Sequence, residues 1–167
     1  MIAGPVPLRL LIADDNATAR KLLRALLETR QSWQVCAEAE NGLEAVAKAA
    51  ELKPDIIILD LAMPLMDGLH AAQTISAASP TIPIFMHTMH NFTGLDLEAK
   101  KVGIRKVISK TAAGDALLVA IEEVLNPPAP QTAISLPHAL SETTSGPGNG
   151  ASNAQAGTEV DPNSKLN

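Results

Sequence analysis

The 167 residues include 46% hydrophobic and 19% charged side chains and carry a net charge of −5, which suits one ordinary domain with its own core. So mild an acidity excludes a broad basic surface for nucleic acid, and two Phe, one Trp and no Tyr leave no aromatic platform for stacking bases. The single cysteine, Cys36, excludes an intrachain disulfide and reads as core packing.

The first seven residues hold two prolines and no basic stretch, and no apolar run approaches membrane-spanning length, so no membrane insertion and a cytoplasmic location are expected. A first apolar strand is expected over Leu8–Ala13. Asn16 then caps a helix whose Ala19, Leu22, Leu23 and Leu26 form a stripe, with Arg20, Lys21 and Arg24 between them on the outward side. A second strand, 35–39, leads through Asn41-Gly42 to a helix with Leu43, Val46, Ala47 and Ala50 at helical spacing. Pro54 stops that helix and opens the strand Ile56–Leu59, apolar on both faces as buried parallel strands are.

Met63-Pro64 and Asp67-Gly68 make a turn before a small-residue helix over 69–78, with Asp67 as its cap. Strand four is expected over 82–87, a weaker helix over 94–101, strand five over 106–109 and a last helix over 112–125. That helix puts Leu117, Ala120, Ile121 and Val124 on one stripe, and Leu118 and Leu125 widen it into a candidate contact surface. The alternation predicts an α/β fold, a five-stranded parallel sheet in a doubly wound three-layer sandwich. From Asn126 the chain turns Pro-, Gly-, Ser- and Asn-rich, so residues 1–126 are expected to form the domain and 127–167 a disordered tail. Within it, Ile134 to Leu140 reads as residual linker hydrophobicity rather than a docking peptide.

Asp14 and Asp15, Asp60 and Lys110 each lie just past an apolar strand. In an open parallel sheet the carboxyl ends of neighbouring strands converge on one crevice. Three acids gathered there repel unless cationic charge sits among them, and an oxygen-seeking divalent ion with an ammonium group supplies it. That layout points to a magnesium-dependent, phosphoryl-accepting aspartate. His87 and His90 are too poorly aimed from a strand end to make a zinc site.

At these residues the chain resembles the receiver domain of two-component response regulators, from about Leu8 to Leu125. The resemblance rests on six motifs in order: Asp14-Asp15; Asn41-Gly42-Leu43-Glu44-Ala45; Pro54-Asp55-Ile56-Ile57-Ile58-Leu59-Asp60; Met63-Pro64-Leu65-Met66-Asp67-Gly68; Thr88; and Ser109-Lys110. It implies a flavodoxin-like fold with strand order 2-1-3-4-5, an order of which a receiver is itself a reference example. It also implies that Asp60 takes a phosphoryl group from a sensor histidine kinase or phosphotransfer protein, becoming a 4-aspartylphosphate. Asp15, Asp60 and the Ala62 backbone carbonyl would hold Mg2+, with Asp14 acting mostly through bound water. Lys110 would pair with the carboxylate and then a phosphoryl oxygen, Thr88 would turn its hydroxyl toward that oxygen, and the Ala62 and Met89 backbone N–H groups would complete the cradle. The output would be binding to a downstream protein.

Three positions depart from the family pattern. Val107 replaces the usual aromatic three residues before the lysine, Met89 replaces a small residue after the threonine, and Thr111 replaces the frequent proline after the lysine. With no output domain recognisable downstream, the expectation is a stand-alone receiver. Two other readings compete. A haloacid-dehalogenase-type hydrolase would need a second acid where Ala62 stands, and a receiver-like scaffold that is never phosphorylated would not need an intact Asp15, Asp60, Thr88 and Lys110.

Overall fold

The computed structural model describes residues 6–90 and 92–127. Apart from Pro127, the expected tail, including the segment 134–140, lies outside them. Five strands alternate with five helices: β1 (Leu8–Ala13), α1 (Ala17–Leu27), β2 (Trp33–Ala39), α2 (Gly42–Leu52), β3 (Ile56–Leu59), α3 (Gly68–Ala78), β4 (Ile84–Thr88), α4 (Leu95–Lys101), β5 (Ile104–Ser109) and α5 (Ala116–Leu125). Every neighbouring pair is parallel and the order is β2-β1-β3-β4-β5, as expected.

Strand β3 is buried from end to end, and β1 from Leu10 and β4 except at His87 are buried with it, on both faces. Leu11, Ile57, Leu59 and Met86 face one apolar cluster, which also takes up α2, α3 and α4. Leu10, Ile12, Ile56, Ile58 and Phe85 face the other, with α1 and α5. Each large aliphatic side chain so buried contributes about 1.5–3 kcal/mol, and parallel pairing leaves no solvent face to relieve them.

Local chemistry sets the helix starts. Asn16 Oδ1 accepts the N–H groups of Thr18 and Ala19, Asn41 Oδ1 accepts Glu44 N–H, and Asp67 Oδ1 accepts His70 N–H. Asp67 is therefore the cap that its sequence context suggests. Lys53, in the left-handed region at φ 45°, and Pro54 end α2. Strand β2 starts at Trp33, two residues earlier than expected, because its backbone is in register with Leu8 at the head of β1 and its side chain is buried there. Pro83 has no N–H to give, and β4 begins after it. Helix α5 starts at Ala116 rather than 112 because residues 112–115 turn around Gly114.

Three helix faces differ from the sequence reading. In α2 the buried residues are Gly42, Ala45 and Ala49, whereas Leu43, Ala47 and Ala50 are exposed. Close approach to α3 and to the loop before it selects the small side chains over the larger ones, and a Cβ on Gly42 would overlap the Met66 carbonyl. In α1, Leu22 is 68% exposed while Arg20 is only 7% exposed, so the expected outward position of Arg20 is wrong. Its guanidinium is drawn inward by acceptors on β2 and on the β1–α1 turn. In α5, Leu118, expected to widen a contact surface, is buried in the core instead, whereas Val124, expected on the stripe, is exposed together with Leu125.

Gly68, the first residue of α3, packs on the backbone of Asp60. A Cβ there would overlap the Asp60 carbonyl oxygen, which cannot rotate away as a side chain would. Gly68→Ala is therefore expected to lower stability by about 1–3 kcal/mol. A urea midpoint equal to wild type would contradict this packing.

Candidate functional site

The acidic pair, Asp60 and Lys110 meet beyond the carboxyl ends of the strands. Asp14 follows β1, Asp60 follows β3 and Lys110 follows β5, while Thr88 is the last residue of β4. One carboxylate oxygen from each of Asp14, Asp15 and Asp60 lies within 4.8 Å of the others. The two acids of the pair differ: Asp14 is buried and Asp15 exposed. Asp14 Oδ1 accepts Asn16 N–H at 2.9 Å and its Oδ2 accepts Lys110 Nζ at 2.5 Å. The same ammonium lies 3.1 Å from Asp60 Oδ2, whose sister oxygen accepts Leu61 N–H at 2.8 Å.

Backbone bonds fix these positions. Asp60 N–H donates to Ala13 carbonyl at 2.8 Å, Asp14 N–H to Ala39 at 3.1 Å and Lys110 N–H to Thr88 at 2.9 Å, so the strand ends are tied across the sheet. Thr88 is 1% exposed, and its hydroxyl oxygen accepts His90 N–H at 3.1 Å. Met89 is 61% exposed and Ala62 is exposed on the loop after β3. Val107 is half-buried against the cluster containing Leu95 and Ala99 of α4.

Burial alone would lower the Lys110 pKa, but the hydrogen bond to Asp14 and the charges of Asp60 and Asp14 outweigh it, so the ammonium titrates above its ordinary value. Lys110 is thus a fixed cation throughout the physiological range. Three carboxylates against one ammonium leave excess negative charge on hard oxygen donors, which fits a magnesium ion.

Two residues near the site have places that sequence reasoning did not assign to them. Arg20 Nη1 donates to the Asp14 carbonyl at 2.7 Å; its outward placement on a simple helical wheel concealed it. His87 was weighed only as a metal ligand, yet it lines a pocket of about 230 Å3 between α1 and the start of α5, together with Leu22, Leu26, Leu117, Asp14 and Lys110. Neither Asp15 nor Asp60 lines that pocket, so it lies beside the acidic cluster rather than over it.

The family model for the response regulator receiver domain matches residues 10–122. The chain is 40% identical over 116 residues to the chemotaxis protein CheY of Listeria monocytogenes, covering 70% of this chain and 97% of that one. It is 32% identical over 117 residues to the transcriptional regulatory protein LnrK of Bacillus subtilis, covering 70% of this chain but 53% of that protein. A two-component response regulator of the LuxR family from Aurantimonas sp. superposes with a TM-score of 0.69 at 31% identity, covering 71% of this chain and 85% of that one. The chain therefore belongs to the response regulator receiver family, the phosphoacceptor domains of two-component signalling. Receivers take their phosphoryl group from histidine kinases or phosphotransfer proteins. Among the described residues no helix is long and apolar enough to cross a membrane.

The surroundings of His87 carry a consequence for stability. Its Nδ1 is buried with no hydrogen-bond partner among the described residues, and burial, reinforced by the nearby Lys110 charge, lowers its pKa. The unfolded chain then binds a proton that the folded one resists. Stability is complete above about pH 6.5 and falls as the pH drops from there toward the depressed folded value. The wild-type urea midpoint should decrease between about pH 7 and pH 5.5, and His87→Leu should flatten that decline. Equal slopes for the two proteins would remove His87 as the cause.

Proposed function

We propose that Asp60 is the phosphoacceptor and that the protein works as a signalling switch, not as a hydrolase. The observation that carries this reading is Lys110 Nζ bridging Asp14 and Asp60, with the Asp15 carboxylate beside them. In phosphoryl transfer the protein supplies positioning and charge rather than covalent chemistry, apart from the nucleophile itself. An Asp60 carboxylate oxygen attacks phosphorus in line as the bond to the donor histidine nitrogen breaks, leaving an acyl phosphate on Asp60. Asp15 and Asp60, with the Ala62 carbonyl, are the residues that would hold Mg2+, and Asp14 would contribute through water. When bound, the ion neutralises charge on the phosphoryl oxygens.

Lys110 is the group that changes partner. Before transfer it neutralises Asp60, and afterwards the Asp60 oxygens carry phosphorus, so the ammonium turns to a phosphoryl oxygen. The Thr88 hydroxyl, which now accepts from His90 N–H, has a free hydrogen to donate to the same group. Its movement pulls on the β4–α4 loop, and the Ala62 and Met89 N–H groups close the cradle. Val107 offers no aromatic lever, so the change is transmitted by the loop and by packing against α4. Residues 1–126 carry this function in the cytoplasm, with a histidine kinase or phosphotransfer protein as donor and a protein as output.

Incubation with a radiolabelled small-molecule acyl phosphate and magnesium tests the reading. Wild type should incorporate label, chelation should stop it, and Asp60→Asn should incorporate none, because an amide is a poor nucleophile at phosphorus. Asp15→Asn should need more magnesium for the same extent. Full labelling of Asp60→Asn would sink the proposal.

A further inference from the structure

Arg20 makes more of its contacts inside the fold than any reading of α1 as an amphipathic helix suggests. It lies on the first turns of α1, one turn past the acidic pair. Its Nη1 donates to the Asp14 carbonyl at 2.7 Å, its Nη2 to Glu40 Oε1 at 2.7 Å and its Nε to Glu38 Oε2 at 3.2 Å. Glu38 lies in β2 and Glu40 just beyond it, and β2 is an edge strand. The planar guanidinium fork therefore clamps the turn after β1 to the end of its outer neighbour.

The oxygen it grips is a special one. It belongs to the peptide that joins Asp14 to Asp15, and a peptide unit is planar, with the α-carbons of both residues in its plane. Holding that oxygen fixes the orientation of the plane on which both acids are mounted. Asp14 has its own side-chain anchors in Asn16 N–H and Lys110. Asp15 is exposed, so the direction of its carboxylate depends on the backbone beneath it.

We propose that Arg20 is a positioning residue for the metal site: by holding the Asp14 carbonyl it sets the aim of the Asp15 carboxylate toward a magnesium ion. This rests on the reading of Asp14, Asp15 and Asp60 as a magnesium site. The proposal can be separated from a plain electrostatic effect because the two have opposite signs. Removing a cation near the site, and leaving Glu38 and Glu40 unneutralised, strengthens the attraction for Mg2+. Loosening the turn weakens it.

Arg24 is the matched control. It also pairs with Glu38, at 2.7 Å, and with Glu28, but its backbone contact is the Val35 carbonyl rather than Asp14. Its loss changes the charge equally without touching the acidic turn. The measurement is the dissociation constant for magnesium alone, by titration calorimetry at fixed ionic strength, on the whole chain.

Arg20→Gln should raise that constant by about tenfold, the lower end of what outer partners of metal ligands contribute, while Arg24→Gln should not raise it. An unchanged or tighter constant in Arg20→Gln, or an equal weakening in Arg24→Gln, overturns the proposal. If Arg20→Gln does not fold, Arg20→Lys carries the test, since an ammonium cannot reproduce the fork: weaker binding supports the clamp, wild-type affinity overturns it. A wild type that binds no magnesium overturns the metal reading as well, which distinguishes the two failures.

Discussion

The ammonium of Lys110 between two buried carboxylates is the constraint around which the rest is arranged. Unit charges 4 Å apart interact by about 4 kcal/mol at an effective dielectric near 20, so Asp14 and Asp60 together would resist burial without it. Lys110 follows β5, at the edge of the sheet, whereas the acids follow β1 and β3. Strands stand about 4.8 Å apart, so the side chain reaches across the whole width of β4. Its ion pairs clip the edge strand to the centre over the buried end of β4, which is where Thr88 lies.

The sheet supplies what this clip needs. Central strands buried on both faces hold the Asp14 and Asp60 backbones still, and the small residues of α2 and α3 let the loops after β2 and β3 close down against each other. Gly42 under the Met66 carbonyl and Gly68 on the Asp60 carbonyl are parts of one compact support. Opposite it, Arg20 and the carboxylates of Glu38 and Glu40 brace the turn after β1. Burial would raise the pKa of Glu38, but hydrogen bonds and charge from Arg24 and Arg20 outweigh it and hold it below its ordinary value. The acids are thus held from both sides, while Thr88 and Lys110 belong to the strands on one side only.

Much of this was legible in the sequence because it depends on pattern. Two-sided apolar runs such as Ile56–Leu59 identify central strands, and parallel strands carry their following residues to one crevice, so the acids and the lysine could be brought together from spacing alone. The Asn16, Asn41 and Asp67 helix starts follow similarly local rules, whereas the strand order came with the family resemblance. What failed was the choice of face on helices where tertiary contacts override the wheel. Leu22 is large and apolar yet exposed, and Arg20 is charged yet buried, because two carboxylates and a carbonyl on other elements await its guanidinium. In α2 a close approach favours Ala45 and Ala49 over Leu43, the reverse of what hydrophobicity ranks. No single-helix pattern contains those partners.

The place of the lone tryptophan has a practical corollary for spectroscopy. Trp33 opens β2 and pairs with Leu8, the first residue of β1, whereas Asp14 comes six positions after Leu8 at the other end of that strand. At about 3.3 Å per residue the indole sits on the order of 20 Å from the acidic crevice. With no tyrosine in the chain, near-ultraviolet emission comes from this one ring. Its fluorescence is therefore a clean gauge of whether the sheet is assembled and is nearly blind to events at the strand tips, so occupancy there has to be followed by an optical label or nuclear spin placed near them.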